Sequence, residues 1–202
     1  MPSLVIFDLD GTLADSFPWF LGVVNGVARE HGFRPIADAD IEPLRRAGSR
    51  EILRRLDVPL RALKREQVAA IPLFPGVPAM LQALSDAQIV LALVSSDNED
   101  NARAQLGAGA AHFSHFACGA SLFGKAAKFK RILRRTGVAP RQAIAIGDEV
   151  RDIEAARAAG IACGAVTWGY AAPEALTAWK PDLVFERIED IVSQLRTESG
   201  FR

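Results

Sequence analysis

Close to its start the chain reads Leu4-Val5-Ile6-Phe7-Asp8-Leu9-Asp10-Gly11-Thr12. An apolar run of strand length ends here in two carboxylates spaced two apart, followed by a Gly-Thr break. On an extended backbone, residues i and i+2 point to the same face, so Asp8 and Asp10 are predicted to converge. Two such carboxylates repel each other and favour a cation or a shared proton. The pattern predicts a site for Mg²⁺ and a phosphate, and the alternative is an Asp-x-Asp-Gly that only builds a turn.

Further apolar runs alternate with helical patterns along the chain. Strands are predicted at residues 89–94, 143–146 and 161–166, with a weaker candidate at 115–118 and an edge strand at 182–185. Helices are predicted at residues 77–84, 98–106, 126–135, 153–159 and 188–195. Runs this apolar indicate strands covered on both faces, and the alternation indicates βαβ units. The predicted fold is α/β, a Rossmann-like three-layer core with a mainly parallel sheet.

The segment 16–73 follows a different pattern. Its apolar residues Phe17, Phe20, Leu21, Val24 and Ala28 have helical spacing, and shorter helices are predicted at 41–47, 50–56 and 60–71. A helical piece between the first strand and the rest of an α/β sheet is an insertion. The sequence therefore predicts a small inserted all-α cap domain at residues 16–73, with the catalytic core formed by residues 1–15 and 74–202.

Composition narrows the class of protein. Lys+Arg and Asp+Glu both number 24, so no net charge attracts nucleic acid or an acidic membrane surface. Cys118 and Cys163 lack C-x-x-C spacing and are expected to be reduced thiols. No apolar run reaches the length of a membrane span. We expect a cytoplasmic protein, monomeric or homodimeric, without nucleic-acid or membrane partners.

Four motifs, in order and over nearly the full length, resemble those of the haloacid dehalogenase-like (HAD) phosphohydrolases. Motif I is resembled by the stretch Asp8-x-Asp10-Gly11-Thr12, and motif II by Ser95, which stands at a strand end. Motif III is resembled by Lys125, which follows Gly124, and motif IV by the stretch Gly147-Asp148-Glu149-Val150-Arg151-Asp152. The insertion resembles the helical C1 cap of that family. The stretches 167–170 and 181–184 resemble its phosphoglycolate phosphatase-like branch.

The resemblance implies a two-step chemistry on phosphate. Asp8 would be the nucleophile that forms an aspartyl-phosphate, and Asp10 the general acid and then the general base. Mg²⁺ would be held by Asp8, by Asp10 through its backbone carbonyl, and by Asp148. Family members that dehalogenate lack an aspartate at the place of Asp10, so this residue implies phosphate chemistry.

The resemblance also implies how the phosphoryl group is held. Ser95 would donate a hydrogen bond to the phosphoryl group, and Lys125 would offer it a full positive charge. Backbone N–H groups around Ser96 would be further donors. Two alternatives stay open, because Lys128 lies one turn after Lys125 and because Ser95 could instead end a strand or cap a helix. 

Three further residues are predicted around the metal and its waters. Asp152 is implied as an outer-shell partner of these waters or of Lys125, with helix capping as its alternative role. Glu149 and Thr12 are predicted in the same outer shell.

Specificity is expected from the insertion. Arg45, Arg46 and Arg50 flank a Gly-Ser junction, and each either reaches a negative group of the substrate or belongs to a solvated basic face. Arg50 is preferred because residues 44–51 are similar to the cap loop of sugar-phosphate mutase relatives. The Trp168-Gly169-Tyr170 stretch after a predicted strand either lines the crevice or packs within its loop.

These observations predict an Mg²⁺-dependent phosphatase that hydrolyses a small phosphomonoester, a phosphorylated metabolite, in the manner of a phosphoglycolate phosphatase. One alternative keeps the chemistry but returns the phosphoryl group to a sugar, as a phosphomutase of the β-phosphoglucomutase type. Another alternative is a non-catalytic protein that binds phosphate or metal.

Overall fold

Six strands form one parallel sheet in the computed structural model, which describes residues 1–30, 32, 34–47, 67, 71–119 and 124–197. The strands are β1 (Leu4–Phe7), β2 (Val90–Val94), β3 (Phe113–Ala117), β4 (Ala143–Gly147), β5 (Ala162–Val166) and β6 (Leu183–Phe185). Their order in the sheet is β3-β2-β1-β4-β5-β6, and every neighbouring pair is parallel. The predicted α/β class and parallel sheet are confirmed.

The helices of the described residues agree with most of the predicted ones. They are α1 (Phe17–Glu30), α2 (Asp38–Ala47), α3 (Val77–Asp86), α4 (Glu99–Leu106), α5 (Gly124–Thr136), α6 (Val150–Ala159), α7 (Pro173–Ala178) and α8 (Ile188–Thr197). The short helix α7 was not predicted, because its six residues are too few for a helical period to emerge. The predicted helix 50–56 and most of 60–71 lie outside the described residues. No described helix combines the length and hydrophobicity that crossing a bilayer requires.

Alternate residues of β1 build two separate cores, one on each face of the sheet. Val5 and Phe7 are fully buried on one face with the apolar sides of α3 and α8. Leu4 and Ile6 are fully buried on the other face with α5 and α6. A strand covered on both faces needs a continuous apolar sequence, which explains the uninterrupted run of β1. The three-layer arrangement is therefore confirmed.

The strand order places β1 at the point where the chain direction across the sheet reverses. β1 pairs with β2 on one side and with β4 on the other, and Asp8 N–H continues the second ladder by donating to Ile146 O at 2.9 Å. Ligands of open parallel sheets bind beyond the carboxyl ends of the strands at such a reversal. The residues that follow β1 and β4 are therefore brought side by side.

Two chain segments connect the insertion to the core, and they pair with each other. Ala14 forms an antiparallel bridge with Leu73, Asp15 N–H donates to Pro72 O at 2.9 Å, and Phe74 N–H donates to Leu13 O at 2.9 Å. In the described part of the insertion the regular elements are the helices α1 and α2. This geometry is consistent with a division at residues 15/16 and 73/74, which stays a prediction.

Candidate active site

The residue directly after β1, Asp8, lies in a buried cluster of charges. Its side chain is 7% exposed, and its Oδ2 is 2.9 Å from the ammonium of Lys125. The same ammonium also pairs with Asp152 at the start of α6. Lys125 therefore bridges two carboxylates that come from different strand–helix junctions. Its single positive charge compensates only part of the negative charge that Asp8 and Asp152 carry when both are ionised.

A third carboxylate completes the cluster. Oxygens of Asp8, Asp148 and Asp152 all lie within 4.8 Å of one another, and all three residues are buried. Asp148 is held from two sides: the Thr12 hydroxyl donates to its Oδ1 at 3.0 Å, and the Tyr170 N–H donates to its Oδ2 at 2.7 Å. Carboxylates fixed this closely are suited to a hard divalent cation such as Mg²⁺.

Burial and the charges of neighbouring residues shift the pKa values of the clustered groups. Burial raises the pKa of Asp8 to about 6, against the opposing charge of Lys125. Burial also raises the pKa of Asp148 well above its usual range, and the charges of Glu149, Asp8 and Asp152 raise it further. Burial alone would lower the pKa of Lys125, but the charges of Asp152 and Asp8 outweigh it and raise that pKa. Burial first, and neighbouring carboxylates second, thus disfavour the ionised forms of Asp8 and Asp148, and a bound metal ion would favour them.

The raised pKa of Asp8 predicts a pH-dependent stability difference between the metal-free wild type and Asp8→Asn. Between about pH 4 and pH 6, Asp8 is protonated in the native state, whereas in the unfolded chain it has already lost its proton. The stabilisation from neutral Asp8 is therefore present below about pH 4 and is lost as the pH rises through about 6. In EDTA, the wild type should lose on the order of 1–3 kcal/mol relative to Asp8→Asn across this range.

Thermal unfolding of both proteins at closely spaced pH values measures this difference. The asparagine variant is the matched reference, because it retains the shape of the side chain but cannot titrate. Stability curves of the two proteins that run parallel from pH 4 to pH 7 would contradict the burial of an ionisable Asp8.

The structure separates the two candidate lysines. Lys125 contacts Asp8, whereas the Lys128 ammonium donates to the backbone carbonyls of Ser95 and Gly119, each at 2.6 Å. Burial lowers the pKa of Lys128 to about 8. Lys128 therefore ties two loops together, whereas Lys125 is the one of the two that contacts Asp8, and its phosphate-binding role stays a prediction.

Ser95 follows β2 and is 1% exposed. Its Oγ accepts a hydrogen bond from Asp97 N–H at 3.0 Å, which holds the loop beyond the strand, and its hydroxyl proton can serve another acceptor. The N-cap of α4 is Asn98 rather than Ser95, since the Asn98 side chain accepts from Asn101 N–H. Ser96 is exposed at the same strand end. The phosphate-binding roles of both serines stay predictions.

Asp152 performs both tasks that the sequence left open. Its Oδ2 accepts from Glu149 N–H at 3.1 Å as part of a capping box, while its Oδ1 pairs with Lys125. With both oxygens engaged, Asp152 serves to orient Lys125 and the start of α6. Glu149 is buried and pairs through Oε1 with Arg151 at 2.7 Å.

The side chain of Asp10 lies outside the three-carboxylate cluster. The convergence predicted from an extended backbone does not extend to it, because β1 ends at Phe7 and residues 9–14 turn back through three hydrogen bonds to Leu9 O. Its predicted metal contact runs through the backbone carbonyl, and that contact stays a prediction. Burial raises the pKa of Tyr170 well above its usual range, and the nearby charge of Asp10 raises it further. The Tyr170 hydroxyl is 3.0 Å from Ser16 Oγ.

Glycines allow the loops around Asp148 to approach it. A Cβ at Gly11 would lie 2.1 Å from Asp148 Oδ2, and a Cβ at Gly169 would lie 2.2 Å from Asp148 Cβ. Gly11 also has a φ of 75°, which favours glycine. Any side chain at either position would enter the space of the Asp148 carboxyl group.

The arginines predicted in the insertion have different places. The Arg45 guanidinium donates to the backbone carbonyls of Gly169 and Tyr170. Arg46 is exposed, and Arg50, the preferred candidate for specificity, lies outside the described residues.

Known proteins place this site in a family. The sequence model described as haloacid dehalogenase-like hydrolase matches residues 5–166, which include all the clustered carboxylates and Lys125. The chain belongs to the haloacid dehalogenase-like hydrolases. The predicted family and the hydrolase class are therefore confirmed.

Relatives of this hydrolase include named phosphatases. The phosphoglycolate phosphatase of Synechococcus elongatus is 34% identical over 93% of this chain and 94% of its own length. The N-acetylmuramic acid 6-phosphate phosphatase of Pseudomonas aeruginosa is 26% identical over 95% of this chain and 93% of its own length. A crystal structure described as a predicted phosphoglycolate phosphatase from Haemophilus somnus superposes with a TM-score of 0.79 at 25% identity, covering 96% of this chain and 97% of the other.

The contacts of two arginines around the site of this hydrolase were not predicted. No sequence pattern distinguishes Arg45, a donor to backbone carbonyls, from a solvated arginine, and Arg151 was quoted within a motif without a role of its own. The Trp168-Gly169-Tyr170 stretch was noted for its position after a strand, and the structure shows that it both packs within its loop and lines the site. Trp168 Nε1 donates to Thr12 O at 3.1 Å, while Tyr170 N–H holds Asp148.

Proposed function

We propose that this chain is an Mg²⁺-dependent phosphatase that hydrolyses a small phosphomonoester through an aspartyl-phosphate on Asp8. The observation that carries the proposal is the buried contact of Lys125 with Asp8 beside Asp148 and Asp152. The named phosphatases among the relatives support phosphomonoesters as the substrate class. Phosphoglycolate is the first compound to test, since that is the substrate named for the relative from Synechococcus elongatus.

The described residues fit the metal ion that such chemistry requires. Asp8, the backbone carbonyl of Asp10 and Asp148 would hold it, and the three buried carboxylates within 4.8 Å of one another support a divalent cation there. Bound Mg²⁺ would neutralise charge between the incoming phosphate and Asp8. Thr12 and the Tyr170 N–H orient Asp148 for this task.

The protein groups divide the two steps between them. In the first, an Asp8 carboxylate oxygen attacks phosphorus, the bond from phosphorus to the alcohol oxygen breaks, and Asp10 gives its proton to the leaving alkoxide. In the second, Asp10 takes a proton from water as that water attacks phosphorus, which frees Asp8 and releases inorganic phosphate. Lys125, held by Asp152, neutralises charge on Asp8 and on the phosphoryl oxygens.

Release of inorganic phosphate from a panel of metabolite phosphates, led by 2-phosphoglycolate, tests the proposal. The wild type with Mg²⁺ should release phosphate with water as the acceptor, and EDTA should lower the rate by about 10²-fold or more, because the carboxylates then repel the anionic substrate. Restoring excess Mg²⁺ should restore the rate. Asp8→Asn measured alongside reports any contaminating phosphatase.

The same panel separates the alternatives. Phosphoryl transfer to a sugar phosphate, with a bisphosphate intermediate and little free phosphate, would replace hydrolysis by the mutase function. Absence of turnover above the Asp8→Asn background on every compound, including p-nitrophenyl phosphate, would leave a protein that binds phosphate or metal without catalysis.

The remaining predictions concern cell context. We propose a cytoplasmic protein with a small phosphorylated metabolite as its partner, as a monomer or a homodimer. The free thiols of Cys118 and Cys163 support a reducing compartment.

A further inference from the structure

One peptide group, between Gly169 and Tyr170, lies between a cation and an anion. Its N–H, from Tyr170, donates to Asp148 Oδ2 at 2.7 Å. Its carbonyl, from Gly169, accepts from Arg45 Nη2 at 2.5 Å. Arg45 belongs to helix α2, whereas Asp148 follows β4, so this single unit joins the insertion to the acidic cluster.

The geometry of this unit makes it a stiff connection. A peptide group is planar, so any tilt of its carbonyl tilts its N–H by the same angle. The Arg45 fork also donates from Nε to Tyr170 O at 3.2 Å, so it holds two consecutive carbonyls and fixes the plane between them. The positive charge of Arg45 at the carbonyl and the negative charge of Asp148 at the N–H polarise the peptide group in the same direction. This polarisation strengthens the hydrogen bonds to Arg45 and to Asp148.

Arg45 is itself held in place. Its side chain is 23% exposed, its guanidinium carbon lies 5.9 Å from the centroid of the Phe17 ring, and its Nη1 is 3.4 Å from Glu42 Oε1. Its own backbone carbonyl accepts from Ala172 N–H at 3.4 Å. Several hydrogen bonds, made by both the side chain and the backbone of Arg45, therefore hold α2 against the loop after β5.

We propose that Arg45 is a positioning residue, which fixes the orientation of the Asp148 carboxylate through the Gly169–Tyr170 peptide group. A displacement of α2 is thereby transmitted to the acidic cluster and to its affinity for a divalent cation. The part of the inference that concerns the cation rests on the proposed function, whereas the part that concerns the Tyr170 N–H does not.

Amide hydrogen exchange of the metal-free protein tests the mechanical part. Arg45→Met should speed exchange of the Tyr170 amide by about tenfold, because the carbonyl on the same peptide plane loses its donor. Arg46→Met is the matched control, since Arg46 is the next residue on α2 and is exposed, and it should change that rate by less than about twofold. Equal Tyr170 exchange rates in the wild type and Arg45→Met would overturn the inference.

Calorimetric titration with Mg²⁺ tests the link to the metal. Arg45→Met should weaken Mg²⁺ binding by about tenfold, as expected when a group that orients a metal ligand is removed, and Arg46→Met should not. Arg45→Lys retains the charge without the planar fork and should give an intermediate loss, so it serves if the methionine variant does not fold. An unchanged Mg²⁺ affinity in folded Arg45 variants would overturn the link. A wild type that binds no Mg²⁺ would overturn the proposed metal site instead, and Tyr170 exchange would still decide the role of Arg45.

Discussion

Asp8→Asn is expected to lower the rate of phosphate release by at least about 10³-fold, the largest effect of any substitution considered for this chain. The amide cannot attack phosphorus as a carboxylate does, and Asp152, the other carboxylate that contacts Lys125, has both of its oxygens engaged. The loss should be in kcat. Substrate affinity should fall little, because Lys125 remains and repulsion between Asp8 and the phosphate is removed.

Steady-state kinetics with p-nitrophenyl phosphate and with the best substrate of the panel measure this loss. Asp86→Asn makes the same chemical change at an exposed position on α3 and should retain wild-type rates. Circular dichroism establishes that both variants are folded. Retention of more than about a tenth of the wild-type kcat by Asp8→Asn would exclude Asp8 as the nucleophile.

Gly11→Ala is expected to have the second largest effect, although it adds only a methyl group. Its Cβ would lie 2.1 Å from Asp148 Oδ2 and 2.5 Å from a ring carbon of Tyr170, so the carboxylate, the ring or the turn must move. Displacement of a reacting group by about 1 Å can lower a rate by about 10²-fold, and we expect a loss of that size or more. Overpacking of this kind also destabilises by about 1–3 kcal/mol beyond the backbone strain.

Gly160→Ala is the control that isolates the clash. Gly160 follows α6 with a φ of 73°, close to the 75° of Gly11, but a Cβ there would meet nothing within 4 Å. Both variants therefore share a backbone strain of about 1 kcal/mol, and the difference between them reports the steric effect alone. Phosphate release and thermal unfolding of the two proteins give that difference. Equal losses in both would mean that strain, rather than the contact with Asp148, explains Gly11.

The family resemblance implied that Asp8 and Asp148 lie together, and the structure shows the physical reason. Both residues follow long apolar runs, and in a parallel sheet the carboxyl ends of all strands lie at one edge. Reversal of the chain direction at β1 then makes β4 its neighbour. The choice of Lys125 over Lys128 needed the structure, because the residues are one turn apart and both lie in the first half of α5.

The loop after β5 could not be assigned in the same way. Arg45 and Tyr170 are separated by more than half of the chain, and their contact depends on how α2 packs against that loop. An arginine that donates to backbone carbonyls leaves no periodic signal in the sequence. A glycine that is required because a side chain would clash with the carboxyl group of a residue distant in sequence looks like any other glycine in a turn. Such contacts follow from the packing of whole elements, which local patterns do not specify.

The position of β1 in the middle of the sheet has a consequence for synthesis on the ribosome. This strand is synthesised well before its partners, residues 90–93 and 143–146. Pairings this distant along the chain form slowly, and β1 lacks its second neighbour until β4 has been made. A nascent chain that stops before β4 would carry Asp8 without Asp148, so the cluster of carboxylates can form only after β4 and the start of α6 have been made.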